Sequence, residues 1–219
     1  MKSRLDTTLH LLHSASEAAL ATFSVKLSGY PFASQVPYVL DAWHRPVLLV
    51  SALAEHSKNL AANPHASLLV STTIAEGEIA RVSLTGELRS FEPEPGLIAR
   101  YLRHHPAAER FLQLGDFGFK RFLASQIYVV GGFAQAGWLD GDRLDRLPAI
   151  PYDIENDLIE TMTAQLDPGT HLLGIDAYGI DVMQNRQRRR LDFSDPPIAE
   201  ETLAAATAKL VAALRSDQQ

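Results

Sequence analysis

The chain has 219 residues, 46% of them hydrophobic and 21% charged, with a net charge of −6 and no cysteine. That is the composition of a globular protein large enough for one large or two modest domains, not of a disordered chain. It excludes disulfides, thiolate catalysis and Cys-ligated zinc or iron–sulfur sites, and an acidic balance disfavours bulk nucleic-acid binding.

Leu5, Leu9 and Leu12, with Leu11 beside them, predict an amphipathic helix over about 3–16. His10, His13 and Glu17 interrupt the apolar stretch, so no signal peptide is expected. No apolar run reaches the roughly 18 residues of a membrane helix, and a cytoplasmic protein is expected. Runs rich in β-formers follow at Ala18–Lys26, Ser34–Leu40 and Pro46–Ser51, the last two joined by a turn at 41–45. A short helix over 54–62 stops at Asn63-Pro64. Two strands, Ala66–Thr73 and Ile79–Phe91, are joined around Glu76-Gly77. A helix opened by Pro93, Pro95 and Gly96 ends before Pro106, and a second covers 107–114. Residues 115–119 read as a loop carrying Phe117 and Phe119, which pack in a core or line a pocket, and Ser125–Phe133 reads as a strand.

Composition changes near Asp140 and again over Pro148–Pro151, placing a domain boundary between 1–147 and 148–219. The second part reads as a helix (about 152–166), three strands (171–177, 179–184, 188–193) and a closing helix (about 199–215). The first part is mostly antiparallel β, and about six strands with short helices predict a barrel, which removes exposed edges. The fold class is therefore α+β: a β-barrel followed by a small α/β unit.

The stretch richest in chemistry runs from Val47 to Pro64, a buried strand entering a short helix. Helix N-termini offer free N–H groups and partial positive charge to phosphates. His56, Ser57, Lys58 and Asn59 lie in or near that first turn, and Arg81 offers a second charge. The same residues also suit an ordinary solvated helix turn and a polar sheet face, and both readings stand at this point. Arg186, Arg188, Arg189 and Arg190 read as a solvated strand or hairpin edge that discourages edge pairing, with an anion or nucleic-acid contact as the alternative. His104 and His105 read as helix C-terminal charges, Asp176 and Asp181 as turn chemistry beside Gly179, and His171 as a surface or hydrogen-bonded residue. Ser14, Ser16 and Ser24 lack a nucleophile-elbow context.

The order strand, Ser51, short helix His56-Ser57-Lys58-Asn59, Asn63-Pro64, strand, Arg81, Gly86 resembles the pyridoxamine 5′-phosphate oxidase-like FMN-binding split barrels. It is most similar to the branch related to haem-utilisation proteins. Pro31–Tyr38, Tyr101-Leu102, His105-Pro106, Asp116-Phe117 and Gly131-Gly132-Phe133 carry the likeness over roughly residues 15–140, and His171–Asp181 with Arg190–Phe193 carry it into the second part. The resemblance implies a homodimer with FMN at the subunit interface, Ser34, Gln35 and Val36 near the ring, and Ser51, His56, Ser57 and Lys58 near the phosphate with Arg81. Two departures stand out. Glu55 occupies a position where many flavin-binding members carry a basic residue, and residues 161–166 lack the histidines found there in the haem-utilisation branch. Three functions follow: a flavin-dependent oxidoreductase of unassigned substrate, a haem-binding or haem-degrading protein, and a cofactor-free dimeric binding module. No catalytic residue, metal site, membrane contact or nucleic-acid partner is assigned.

Overall fold

The computed structural model describes residues 3–73, 79–131 and 136–216. The first helix, α1 (Arg4–Ser14), starts at a capping box in which Ser3 and Asp6 satisfy each other's backbone N–H groups. The strands β1 (Glu17–Phe23), β2 (Pro31–Pro37), β3 (Val39–Leu40), β4 (Pro46–Ser51), β5 (His65–Thr73), β6 (Ile79–Ser90), β7 (Phe117–Val130) and β8 (Ala136–Asp140) form one sheet in the order β2-β1-β5-β6-β7-β4-β3, with β8 also paired to β7. Every pairing is antiparallel. The sheet curls into a split barrel.

Side-chain alternation explains which face turns inward. Ala18, Leu20 and Thr22 of β1 are buried while their neighbours are not, and β6 buries Ala80, Val82, Leu84 and Leu88 in the same way. β4 breaks the pattern: Leu48 and Val50 enter the main barrel core, and Val47 and Leu49 enter a second cluster with Leu97, Tyr101 and Phe119. A strand covered on both sides reads as an unbroken apolar run, as Pro46–Ser51 does. β6 and β7 close on each other at Gly86, where a Cβ would stand 2.0 Å from the Leu123 carbonyl oxygen. Only glycine fits a backbone approach of that kind.

The helices α2 (Glu55–Ala62), α3 (Pro95–His104), α4 (Glu109–Leu112) and α5 (Asp142–Asp145) connect or flank the strands. After them come α6 (Tyr152–Thr163), a three-stranded antiparallel sheet of β9 (Thr170–Asp176), β10 (Gly179–Gln184) and β11 (Gln187–Asp192), and α7 (Glu200–Ser216). One hydrophobic cluster runs from Leu9, Leu20 and Leu68 of the first part to Ile175, Ile180 and Leu203 of the second. Among the described residues no helix is long and apolar enough to cross a membrane.

Four expectations need correction. β7 begins at Phe117, eight residues before the expected strand, because residues 117–121 pair with β4; the expected loop is the middle of the sheet. β8 was not foreseen, since Ala136–Asp140 carries only Trp138 and Leu139 as strand formers. The arginines of β11 are not all a solvated edge. β11 is an edge strand, but Arg190 is buried, with Nη1 and Nη2 donating to Asp176 at 2.7 and 2.8 Å and Nη1 donating to Asp181 at 3.2 Å. Asp176 does make the expected turn bond, accepting from the Tyr178 N–H at 2.7 Å, yet its main partner is this arginine. His104 is likewise buried rather than a solvated helix-end charge. Arg100 extends the polar seam by donating to Glu155 and to the Leu40 and Ile175 carbonyls, which ties α3 to both sheets. The Glu76-Gly77 connection and Gly132-Phe133 lie outside the described residues.

Candidate functional site at the corner between β4 and α2

β4 ends at Ser51, the chain turns through 52–54, and α2 begins at Glu55. Ser51 holds this turn: its Oγ donates to Asp116 at 2.5 Å and accepts from the Leu53 N–H at 3.1 Å. Asn59 fixes the helix to the barrel, with its amide donating to Thr22 Oγ1 and its carbonyl accepting from the Val25 N–H. Both of its functional atoms are engaged inside the fold and the side chain is fully buried, so Asn59 positions α2 rather than meeting a ligand. The N-cap residue Ala54 supplies no side-chain acceptor to the first turn, which leaves the helix end suited to an anion.

Two cavities flank the corner. One of about 380 Å³ is walled by Leu49, Val50, Tyr101, Phe111 and Phe117, with Gln35, Ser51, His56 and His105 among its lining residues. Phe111 and Phe117 stack there, 4.8 Å between centroids and 10° from parallel. The other, about 690 Å³, carries Ser57, Lys58 and Lys120 beside Phe91, Asp116 and Phe119. Ligand pockets fall in this size range, mostly apolar with a few placed polar groups.

The expected site residues divide between these cavities. Gln35, Val36, Ser51 and His56 line the first, and Ser57 and Lys58 the second. Ser34 joins through His56, its Oγ lying 3.1 Å from Nδ1. Val36 is fully buried in the barrel core, and the Gln35 amide is bonded to Glu17. The Lys58 ammonium lies 3.6 Å from Glu55, which partly counters its charge. Arg81 stands apart within one chain: it pairs with Val130 on β7, whereas Ser51 pairs with Phe117. At about 3.3 Å per residue the gap is roughly 40 Å of strand.

Two residues of the corner have atoms left over. The Ser57 hydroxyl is buried without a partner, and so is His56 Nε2. Burial lowers the His56 pKa, and burial likewise lowers those of His105 and Lys120. His105 Nε2 bonds to the Tyr38 carbonyl at 2.9 Å. Its place in the cavity was missed because its position before Pro106 reads as a helix end; Lys120 was missed because it follows the misread loop.

Sheet order, corner and small second sheet define a split β-barrel followed by a small α/β unit. Residues 3–144 match the CREG β-barrel family, and the chain belongs to it. It is 39% identical over 119 residues to the chloroplastic non-canonical haem oxygenase HOZ of Arabidopsis thaliana, a match covering 53% of this chain and 37% of that protein. The chain thus spans little more than a third of that relative. The structure of a haem-binding protein from Mycobacterium smegmatis superposes with a TM-score of 0.62 and 27% identity over 100% of this chain and 99% of that one. The Agrobacterium tumefaciens protein Atu2129, of unknown function, has the same fold, with a TM-score of 0.71, 21% identity and coverage of 94% and 93%.

Proposed function

We propose that this protein binds haem at the corner, with His56 as the imidazole that meets the iron. The carrying observation is the buried, unpartnered Nε2 of a ring whose other nitrogen is held by Ser34. An unsatisfied buried polar atom costs about 1–3 kcal/mol, and an iron bond removes that cost. Burial lowers the ring's pKa and so favours its neutral form, and a neutral imidazole in an apolar pocket is what haem iron requires. The Ser34 hydroxyl fixes the ring at Nδ1, and in the tautomer that carries its proton there the Nε2 lone pair is free for a metal. The aromatic wall of Tyr101, Phe111 and Phe117 gives a flat hydrophobic macrocycle its surface. Haem supplies redox chemistry when bound, while the chain holds the ring and limits water. The haem-binding mycobacterial protein and the plant haem oxygenase support this reading, and haem degradation is the activity it extends to.

A flavin is the second reading, favoured by one observation. The uncapped start of α2, the orphan Ser57 hydroxyl and the ammonium groups of Lys58 and Lys120 suit the phosphate of FMN in the larger cavity. A second copy of the chain is part of either reading. Phe23, Val25, Leu27 and Tyr30, on β1 and the connection to β2, are more than half exposed, and exposed apolar patches mark association surfaces. Such a partner is also the route by which Arg81 reaches a cofactor. A chain without cysteine fits a reducing, cytoplasmic location.

The test is titration of the purified protein with hemin and, separately, FMN, followed by absorbance, with sedimentation giving the oligomeric state. We expect a saturable Soret band that weakens about tenfold or more in affinity in His56→Ala and is little changed in Lys58→Ala. A flavin spectrum lost in Lys58→Ala with Lys120→Ala would move the assignment to FMN. Binding of neither cofactor would leave a cofactor-free module.

A further inference from the structure

Where the barrel meets the second sheet, three elements bring one side chain each to a common point. His13 comes from α1, His44 from the turn between β3 and β4, and Asp176 from the end of β9; all are at most 3% exposed. Their possible ligand atoms lie within 4.8 Å of one another. His13 Nε2 is 2.9 Å from His44 Nδ1 and 3.4 Å from Asp176 Oδ2.

Two surrounding features prepare these atoms for a cation. His13 Nδ1 lies 2.9 Å from Asp181 Oδ2. A carboxylate only accepts, so the proton sits on Nδ1 and Nε2 faces the cluster. This carboxylate–histidine pairing is the usual outer support of a metal-bound imidazole, fixing its tautomer and raising its basicity. His44 is held at φ 59, in the left-handed region, where glycine carries no penalty and an L side chain is uncommon. An imidazole kept at such a place signals a local demand for it. Arg190 donates to both Asp176 and Asp181, so a cation here would share Asp176 with this arginine. Arg188, 3.8 Å from Asp181, and Arg100, which acts on His44 and Asp176, are further nearby cations.

We propose that His13, His44 and Asp176 form a buried site for a divalent transition-metal ion, zinc being the ion suited to two imidazoles and one carboxylate. The ion takes the place between the two rings that a shared proton would otherwise fill. Because its ligands come from α1, a barrel turn and the second sheet, it fastens that sheet to the barrel. Uptake therefore accompanies folding, as in other sites assembled only in the native state. The site shares no residue with the corner.

The test uses untagged full-length protein, unfolded in guanidinium with chelator and refolded with or without Zn²⁺. We expect close to one equivalent of zinc per chain by elemental analysis, a higher unfolding midpoint after refolding with zinc, and ligand-field bands when Co²⁺ replaces it. His44→Gly removes a ligand while suiting φ 59, so it should fold and bind zinc about tenfold or more weakly. His13→Gln is the second variant and should lose the Co²⁺ bands. Wild-type protein that retains no more zinc than His44→Gly, with an unchanged midpoint, would overturn the proposal and leave a proton-bridged histidine pair. If His44→Gly fails to fold, wild-type metal content and the His13→Gln spectrum decide alone.

Discussion

The polar seam between the barrel and the second sheet and the corner between β4 and α2 both bury histidine, arginine or lysine, but they treat them differently. In the seam each charge has a partner: Arg190 chelates Asp176 and reaches Asp181, and Arg100 chelates Glu155. At the corner the groups are half-buried and some atoms are left without partners, His56 Nε2 and the Ser57 hydroxyl among them. Burial with pairing holds structure together, whereas burial without pairing is tolerated where something else completes the bonds. The charges of the seam are paired, although His44 Nε2 and His104 Nδ1 are not, and the corner is the more open of the two regions.

The largest expected effect lies in the seam. Removing one member of a buried ion pair strands the other, so Arg190→Ala should cost about 3–5 kcal/mol in denaturant unfolding. Asp176 and Asp181 are pushed up by burial, but Arg190 and His13 outweigh that and hold both carboxyls well below the usual range. A loss under about 1 kcal/mol would erase the contrast between the two regions.

Acid comes next. Burial, with Arg188 beside it, holds His104 well below the ordinary histidine pKa, and burial lowers His56 less strongly. The unfolded chain therefore takes up these protons first as pH falls below about 6.5. Stability is fully present above that pH and declines below it, by up to about 1.4 kcal/mol per pH unit for each fully buried histidine. Chemical denaturation between pH 7 and pH 5 should show this slope (roughly the histidine window), and His104→Gln should flatten it more than His56→Ala does. Equal flattening would mean the corner is as tightly built as the seam.

The smallest effects belong to the corner. Lys58→Ala should change stability by less than about 0.5 kcal/mol, since its ion pair with Glu55 is largely exposed. Ser57→Ala removes a buried hydroxyl that has no partner, so the unfolding midpoint should hold or rise, by about 1 kcal/mol at most. A clear loss in Ser57→Ala would show that the hydroxyl is bonded in solution and that the corner is less open than described.

The sequence made much of the fold legible because local signals agreed with the final packing. Pro46–Ser51 and Gly179–Gln184 match the observed strands residue for residue, one from its unbroken apolar run, the other from a glycine start. The start of β7 was hidden because Gly115 and Gly118 flank Phe117 as they would in a loop, and only pairing with β4 makes a strand there. At the site, the strand-to-helix turn was visible in Val47–Pro64. What was not visible was side-chain direction. Asn59 and Ser51 look like ligand donors in sequence yet spend their atoms inside the fold, and Arg81 is close in sequence order but far along the sheet. The buried seam could not be read at all, because its residues are separated by as many as 177 positions.

The claim that the corner is a haem site rests on one nitrogen atom, and hemin titration of wild-type protein beside His56→Ala tests it most directly. The account predicts a saturable Soret spectrum in the wild type and a loss of about tenfold or more in affinity, with an altered spectrum, in the variant. Identical spectra and affinities in the two proteins would contradict it.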